Sequence, residues 1–299
     1  MKKNFLIVGL ILVLFACNPK NNDESNNEKD TIIFENINTE KDVAEIDSKD
    51  NVITESEAFE KIKEYLSEEN QDFFKQAKNN FNNFKTSQNI ADYYFNTIPK
   101  MKSIIEKVIS QNAKPDPDYW ENIEQWEFFS IYIPEIELQV GDGFIDVGYH
   151  LSNLRTKAKE TPEKDDDLFF DVLNKTIFDL EHFWYNGRNN WTEICDYSCS
   201  INKLGSDENI FHETFKAIDK ALNESDKFSE KLISIKEEMI SSIENAVLFV
   251  KSKQNALNEL SKIIENIKLS PKELNQLKEI HNNIEKNKNL KFNSNCNDC

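Results

Sequence analysis

The chain has 299 residues, 36 of them Lys or Arg and 54 Asp or Glu, for a formal charge of −18. Phe is used 21 times, whereas Gly (6) and Pro (7) fall far below the roughly 7 % and 5 % of ordinary globular proteins. Strand-rich folds spend Gly and Pro at their turns, so this composition argues against all-β and α/β architectures, and the net negative charge opposes binding to nucleic-acid phosphates.

The chain opens with Lys2 and Lys3 followed by an apolar run from Phe5 to Phe15. Eleven residues are too few to cross a bilayer as a helix, which needs about 20, and they fit the h-region of a secretory signal. The run ends in Leu14-Phe15-Ala16-Cys17, which resembles the bacterial lipobox. That resemblance implies cleavage before Cys17, acylation of its thiol with fatty acids such as palmitate, and a lipid bilayer as the first partner. Phe15 is bulkier than the residue usual at that place. Residues 1–16 are then a signal peptide. Residues 17–52 are a lipidated cysteine and a polar, Asn- and Glu-rich tether that buries too little to order itself. A coil of that length holds a domain on the order of 30 Å from the lipid. Ile32, Ile33, Phe34 and Ile37 interrupt its polarity.

Residues 53–299 read as an all-α, elongated multi-helix bundle. Thr54-Glu-Ser-Glu57 is a capping box, followed by Ala58, Phe59, Ile62 and Leu66 at helical spacing. Phe73, Phe74, Ala77, Phe81 and Phe84 form a second stripe, and Ile90 to Ile109 a third, with Pro99 a kink or break. Tyr119 to Trp126 start a fourth. Residues 130–150 alternate apolar and acidic residues up to Gly141-Asp-Gly143; helix–loop–helix is the expectation, a short extended segment the alternative. Thr161-Pro-Glu163 opens a helix reaching Trp184, with Asp165-Asp-Asp167 at the positive end of its dipole. A polar, Cys-bearing loop runs to Gly205, and Ser206 and Asp207 cap the next helix. From Ser225 to Ile267 apolar residues recur every three or four positions, which predicts one helix about 65 Å long. Ser270-Pro-Lys-Glu273 then restarts the chain as a second capping box, making a long C-terminal helical hairpin.

With Cys17 used for lipid, Cys195, Cys199, Cys296 and Cys299 remain. An even count in an exported chain favours disulfides, either local or joining the 195–199 loop to the C-terminal segment. Four thiolates around zinc are the competing use, which an oxidising exterior disfavours. The four His lie in no HExxH or nucleophile motif, and neither a Walker loop nor GxSxG is present. The reading therefore contains no catalytic residues, no metal and no cofactor. Trp184, Tyr185, Arg188 and Trp191 form the most binding-like stretch, because Trp, Tyr and Arg dominate interface energies; the alternative is a packed loop cover. Charge is uneven: residues 118–181 hold 16 acidic and 5 basic side chains, residues 251–299 hold 9 basic and 6 acidic. These are either solvated helix faces or a dipolar surface whose basic end meets a polyanion such as a glycosaminoglycan.

The lipobox, the Asn/Lys/Glu tether, the Ile/Phe/Asn/Lys bias and the helical ectodomain together resemble the outer-surface lipoproteins of Borrelia. The virulence-associated lipoprotein family is the nearest group, the helical complement-regulator-acquiring lipoproteins the second. The resemblance implies outer-membrane, surface-displayed protein that binds a host macromolecule in immune evasion or adhesion. The competing expectation is a periplasm-facing structural or assembly lipoprotein.

Overall fold

The computed structural model describes residues 53–112, 123–140, 145–177, 180, 189–196 and 199–296. Residues 1–52, on which the expected signal peptide, lipidated Cys17 and tether fall, lie outside the described residues. The fold is predominantly helical, as composition predicts, with two small two-stranded sheets. Helix α1 (Glu55–Tyr65) begins at the expected capping box: Glu57 N donates to Thr54 Oγ1 (3.3 Å) and Thr54 N to Glu57 Oε2 (2.7 Å). Helix α2 (Glu68–Asn82) follows, capped by Ser67. Helix α3 (Ser87–Asp92) runs through a π turn (Tyr93–Thr97) into α4 (Ile98–Asn112). The chain thus stays helical at Pro99; the wide turn just before it takes up the backbone mismatch caused by the missing N–H. A short helix α5 (Phe128–Tyr132) lies on α1, with Phe59 against Tyr132 (centroids 4.7 Å) and Tyr65 stacked on Phe128 (5.7 Å). Rings therefore fill the space between these helices.

Residues 130–150 correct the helix–loop–helix expectation. Strands β1 (Ile136–Val140) and β2 (Ile145–Tyr149) form an antiparallel hairpin with Leu138 opposite Val147. Ile136, Leu138 and Val147 are buried while Glu137 and Gln139 are half-exposed, the period-two pattern of a strand with one covered face. Helix α6 (Leu151–Ala158) leads to α7 (Asp165–Thr176), which carries the Asp run in its first turn but ends eight residues before Trp184. The expected polar loop contains a second hairpin, β3 (Thr192–Asp196) with β4 (Cys199–Asn202). The remaining helices are α8 (Ile210–Glu224), α9 (Ser229–Glu244), α10 (Lys253–Asn266) and α11 (Pro271–Lys286).

The single helix expected over 225–267 is broken. Helix α9 ends at Glu244, Leu248 and Phe249 form backbone bridges to Lys291 and Asn202, and α10 restarts with Ser252 accepting from Asn255 N. Of the apolar run Ala246-Val-Leu-Phe-Val250 only Phe249 is completely buried, at a backbone bridge to Asn202, while Val247 is exposed. The hairpin of α10 and α11 survives in shorter form, with the Ser270–Glu273 capping box and Pro271 at its first position as expected.

Helix α8 shows how the helices are joined. Ser206 and Asp207 do not cap it; the cap residue is Asn209, in left-handed conformation (φ 49°), without a side-chain bond to the helix. A carboxylate from another helix takes that role. Glu259 on α10 is 1 % exposed and accepts His212 N (3.0 Å) on one oxygen and Gly205 N on the other. Burial raises its pKa, and the peptide N–H groups of His212, Gly205 and Phe211 oppose that shift. Gly205 is obligatory here: its φ is +80°, and a Cβ would lie 2.4 Å from Ala256 N. Lys236 on α9 makes a second buried joint, pairing Asp219 of α8 (3.6 Å) and Glu273 of α11 (3.3 Å) and donating to Lys268 O (3.0 Å).

Glu259→Ala strands two buried N–H groups and is expected to lower unfolding free energy by about 2–4 kcal/mol in urea titration, with Glu259→Gln, which keeps one acceptor, losing less. Equal losses for the two variants would contradict this joint.

Candidate functional site

The structure builds one chemically distinctive end. Residues 247–251 form its centre, pairing on one side with β4 (Asn202 N to Leu248 O, 2.9 Å; Val250 N to Asn202 O, 3.0 Å). On the other side they pair with the C-terminal segment: Lys291 N donates to Val247 O (2.9 Å), Phe249 N to Lys291 O (3.0 Å) and Ser294 N to Phe249 O (2.9 Å). Phe249 stacks on Phe292 at 5.1 Å. Cys296 then bonds Cys195 of β3, a disulfide spanning 101 residues with Cα atoms 5.1 Å apart. This is the cross-linked arrangement of the two left open by the sequence, and it excludes local pairing of Cys195 or Cys296. Cys199 is also disulfide-bonded; Cys299 lies outside the described residues. Thiols committed in this way are not zinc ligands. Among the described residues no group of three or more His, Cys, Asp or Glu is placed to hold a metal.

The same clamp gathers lysines. Lys253, in the first turn of α10, donates to Glu285 O at the end of α11. Lys251 pairs with Asp207 (2.8 Å), and its carbonyl accepts from Asn293 N (3.1 Å). Lys286, Lys288 and Lys291 follow on the adjoining segment, are exposed, and have no ion-pair partner among the described residues. Five lysines therefore lie on segments that meet at this end, Lys251 paired with Asp207, Lys253 bonded to the backbone carbonyl of Glu285, and the Glu193 carboxylate beside Cys296 as a further acidic neighbour. The fold thus concentrates part of the 251–299 positive excess rather than spreading it along a helix.

A second ionisable site is buried between α2, the π turn and the start of β1. Glu135 is 1 % exposed and shares its buried site with Tyr93, itself 1 % exposed. Burial pushes the Glu135 carboxyl up to about 7, against the opposing pull of its own backbone N–H, Lys78 and Tyr93. Lys78 is itself engaged elsewhere, donating to Tyr132 O (3.0 Å), pairing with Glu55 and lying 4.3 Å from the Tyr132 ring centroid. Burial thus favours the protonated carboxyl of Glu135.

Of the aromatic binding candidates, Trp184, Tyr185 and Arg188 lie outside the described residues. Trp191 does not serve as an exposed anchor. It is 3 % exposed, 6.5 Å from the Phe211 ring, and belongs to the core. Glu259, Gly205 and Glu135 carry no motif in the sequence: an acidic residue on a helix and one in a turn read as solvent-facing until their partners are known. Among the described residues no helix is long and apolar enough to cross a membrane. Comparison of the chain with family models, with curated proteins and with solved structures finds no match.

Non-reducing peptide mapping is expected to recover Cys195 and Cys296 in one linked peptide, and replacing both by Ser to cost about 2–4 kcal/mol of stability; recovery of a Cys195–Cys199 peptide would contradict the clamp. The Glu135 carboxyl, raised from its ordinary 4.5 to about 7 in the folded state, penalises folding progressively as pH climbs between those values. Stability should fall by up to about 3 kcal/mol from pH 4.5 to 7.5 on this account, and Glu135→Gln should flatten that part of the profile. An unchanged slope in the variant would assign the pH dependence to other groups.

Proposed function

We propose that this chain is a surface-displayed bacterial lipoprotein that binds an acidic host polymer, a sulfated glycosaminoglycan, through the lysine end. The observation that carries the reading is the convergence of Lys251, Lys253, Lys286, Lys288 and Lys291 in a protein whose net charge is −18. A uniformly acidic surface repels a sulfated chain. A local cationic end with the acidic excess elsewhere orients the molecule toward such a chain and captures it, in a manner that salt weakens.

The N-terminal pattern supports the anchoring half of the proposal. Leu14-Phe15-Ala16-Cys17 places a cysteine where acyl chains would hold the protein at the outer membrane, and the polar tether gives the helical domain reach. The resemblance to Borrelia outer-surface lipoproteins points the same way and suggests adhesion or immune evasion as the setting. Lysine suits this role as a compact, exposed point charge that tolerates a flexible polymer, in contrast to the planar, bidentate geometry that arginine brings to a fixed anion.

The test is retention of the acylated full chain on immobilised heparin. Wild type is expected to bind at about 0.15 M salt and to elute as salt rises, whereas Lys286→Glu/Lys288→Glu/Lys291→Glu should pass unretained with unchanged circular dichroism. Retention of the variant equal to wild type would overturn the lysine end as the site. Metabolic labelling should place palmitate on the wild type and not on Cys17→Ser, and protease added to intact cells should remove the domain; an unlabelled or fully protected protein would contradict the anchoring.

A further inference from the structure

Cys199 of β4 is disulfide-bonded, while Cys195 and Cys296 are bonded to each other. The chain has five cysteines, so Cys17 and Cys299 are the two left to pair with Cys199. In the function proposed above Cys17 carries lipid on its sulfur, which removes it; that step of the elimination rests on the proposed anchoring. The geometry of the hairpin favours Cys299 without it.

In the β3–β4 register Ile194 faces Ser200 and Asp196 faces Cys199, so Cys195 is the extra residue of a bulge and has no partner across the hairpin. A bulge re-aims the side chain it carries, and Cys195 is bonded to the C-terminal segment with Cα atoms 5.1 Å apart. A strand rise of about 3.4 Å and a cross-strand spacing of about 5 Å put Cys199 roughly 6 Å from Cys195, on the neighbouring strand. Cys299 follows Cys296 by three residues, and three residues reach at most about 10 Å. A disulfide needs its Cα atoms within about 4.4–6.8 Å, which that reach allows. Carboxylates adjoin the site: Glu193 Oε1 lies 3.5 Å from Cys296 Sγ, and Asp196 and Asp298 neighbour Cys195 and Cys299 in sequence. Negative charge disfavours the thiolate, which is both the attacking and the leaving form in exchange, so bonds made here persist.

We infer that Cys199 and Cys299 form a second bridge beside Cys195–Cys296, so that both strands of the hairpin are bonded to one short C-terminal segment. The two bonds, with residues 195–199 and 296–299, close a small covalent ring at the end of the hairpin. Each bond forms when two thiols give up two protons and two electrons to a disulfide oxidant, which becomes a dithiol. One bond lets the C-terminal segment swivel about Cys296. Two bonds fix its direction as well as its position, and with it the run that carries Lys291.

The sequence places a cleavage site between the cysteines of each pair, so peptide mapping reads the connectivity directly. The acylated full chain is denatured without reductant, its free thiols are blocked with N-ethylmaleimide, and it is cut with trypsin and with a protease that cleaves before Asp. Cleavage before Asp196 and Asp298 separates all four cysteines. Peptide 196–203 is expected joined to 298–299, and 189–195 to 292–297, with no blocked thiol at Cys199 or Cys299. A blocked Cys199 or Cys299, the crossed pairs, or 196–203 joined to itself or to the Cys17 peptide overturns the inference. An unacylated Cys17 beside an intact 196–203/298–299 pair contradicts the anchoring alone and upholds the bridge. In Cys299→Ser one thiol per chain, Cys199, should become reactive or join two chains, against none at that residue in wild type; no such gain overturns the bridge as well.

Discussion

The interaction on which the lysine end depends is the closure of the C-terminal segment onto residues 247–251 and β3. Backbone pairing at Lys291 and Ser294, the Phe249–Phe292 stack and the Cys195–Cys296 bond act at successive positions of one short segment. Each alone is modest. Together they fix a polar stretch whose side chains bury little, and they do so by satisfying both edges of an extended strand that a helix could not have offered. Phe249, fully buried where its segment bridges Asn202, sits at the interruption of the expected long helix, so that interruption and the cationic end share one segment.

The helical part is held by a different device, the insertion of charged groups at helix junctions. Glu259 serves as the missing cap of α8, Lys236 ties α9 to α8 and α11, and Lys227 gathers Asp165 (3.1 Å), Glu163 (3.4 Å) and Ser87. Such joints contribute little net free energy compared with apolar packing, since desolvation offsets much of the attraction. Their effect is on which helices pair. Amphipathic helices rich in Ile and Phe pack against one another in many registers, and a buried charge is satisfied in only one.

Much of the helical content was legible because it is local. The capping boxes at Thr54 and Ser270 depend on residues three apart, and the structure forms both as read. Sequence and structure part where a local pattern admits two answers. Ile136, Leu138 and their acidic neighbours alternate in a way that suits a strand, yet the helical tenor of the chain favoured the other reading. The stripe from Ser225 to Ile267 keeps helical spacing through Ile243, Ala246 and Val250, and the backbone partners at Asn202 and Lys291, far away in sequence, are what interrupt it. The site was less legible than the fold. Charge counts locate an excess of lysine but not its placement, Trp191, open to reading as a binding residue or a packed loop cover, is buried, and Cys195–Cys296 is one of several pairings until three-dimensional proximity selects it. No residue near Glu135 in sequence announces the burial that moves its proton affinity.

The structural and functional parts of the account meet at the clamp, because Lys288 and Lys291 are held beside Lys251 and Lys253 only while the C-terminal segment is closed. Heparin retention of the oxidised protein compared with the same protein after reduction and thiol blocking tests that dependence most directly. The account predicts that the reduced form keeps its helical circular dichroism yet elutes at clearly lower salt, because the segment opens and its lysines disperse. Identical elution of the two forms, with the disulfide confirmed in the first and absent in the second, would contradict it.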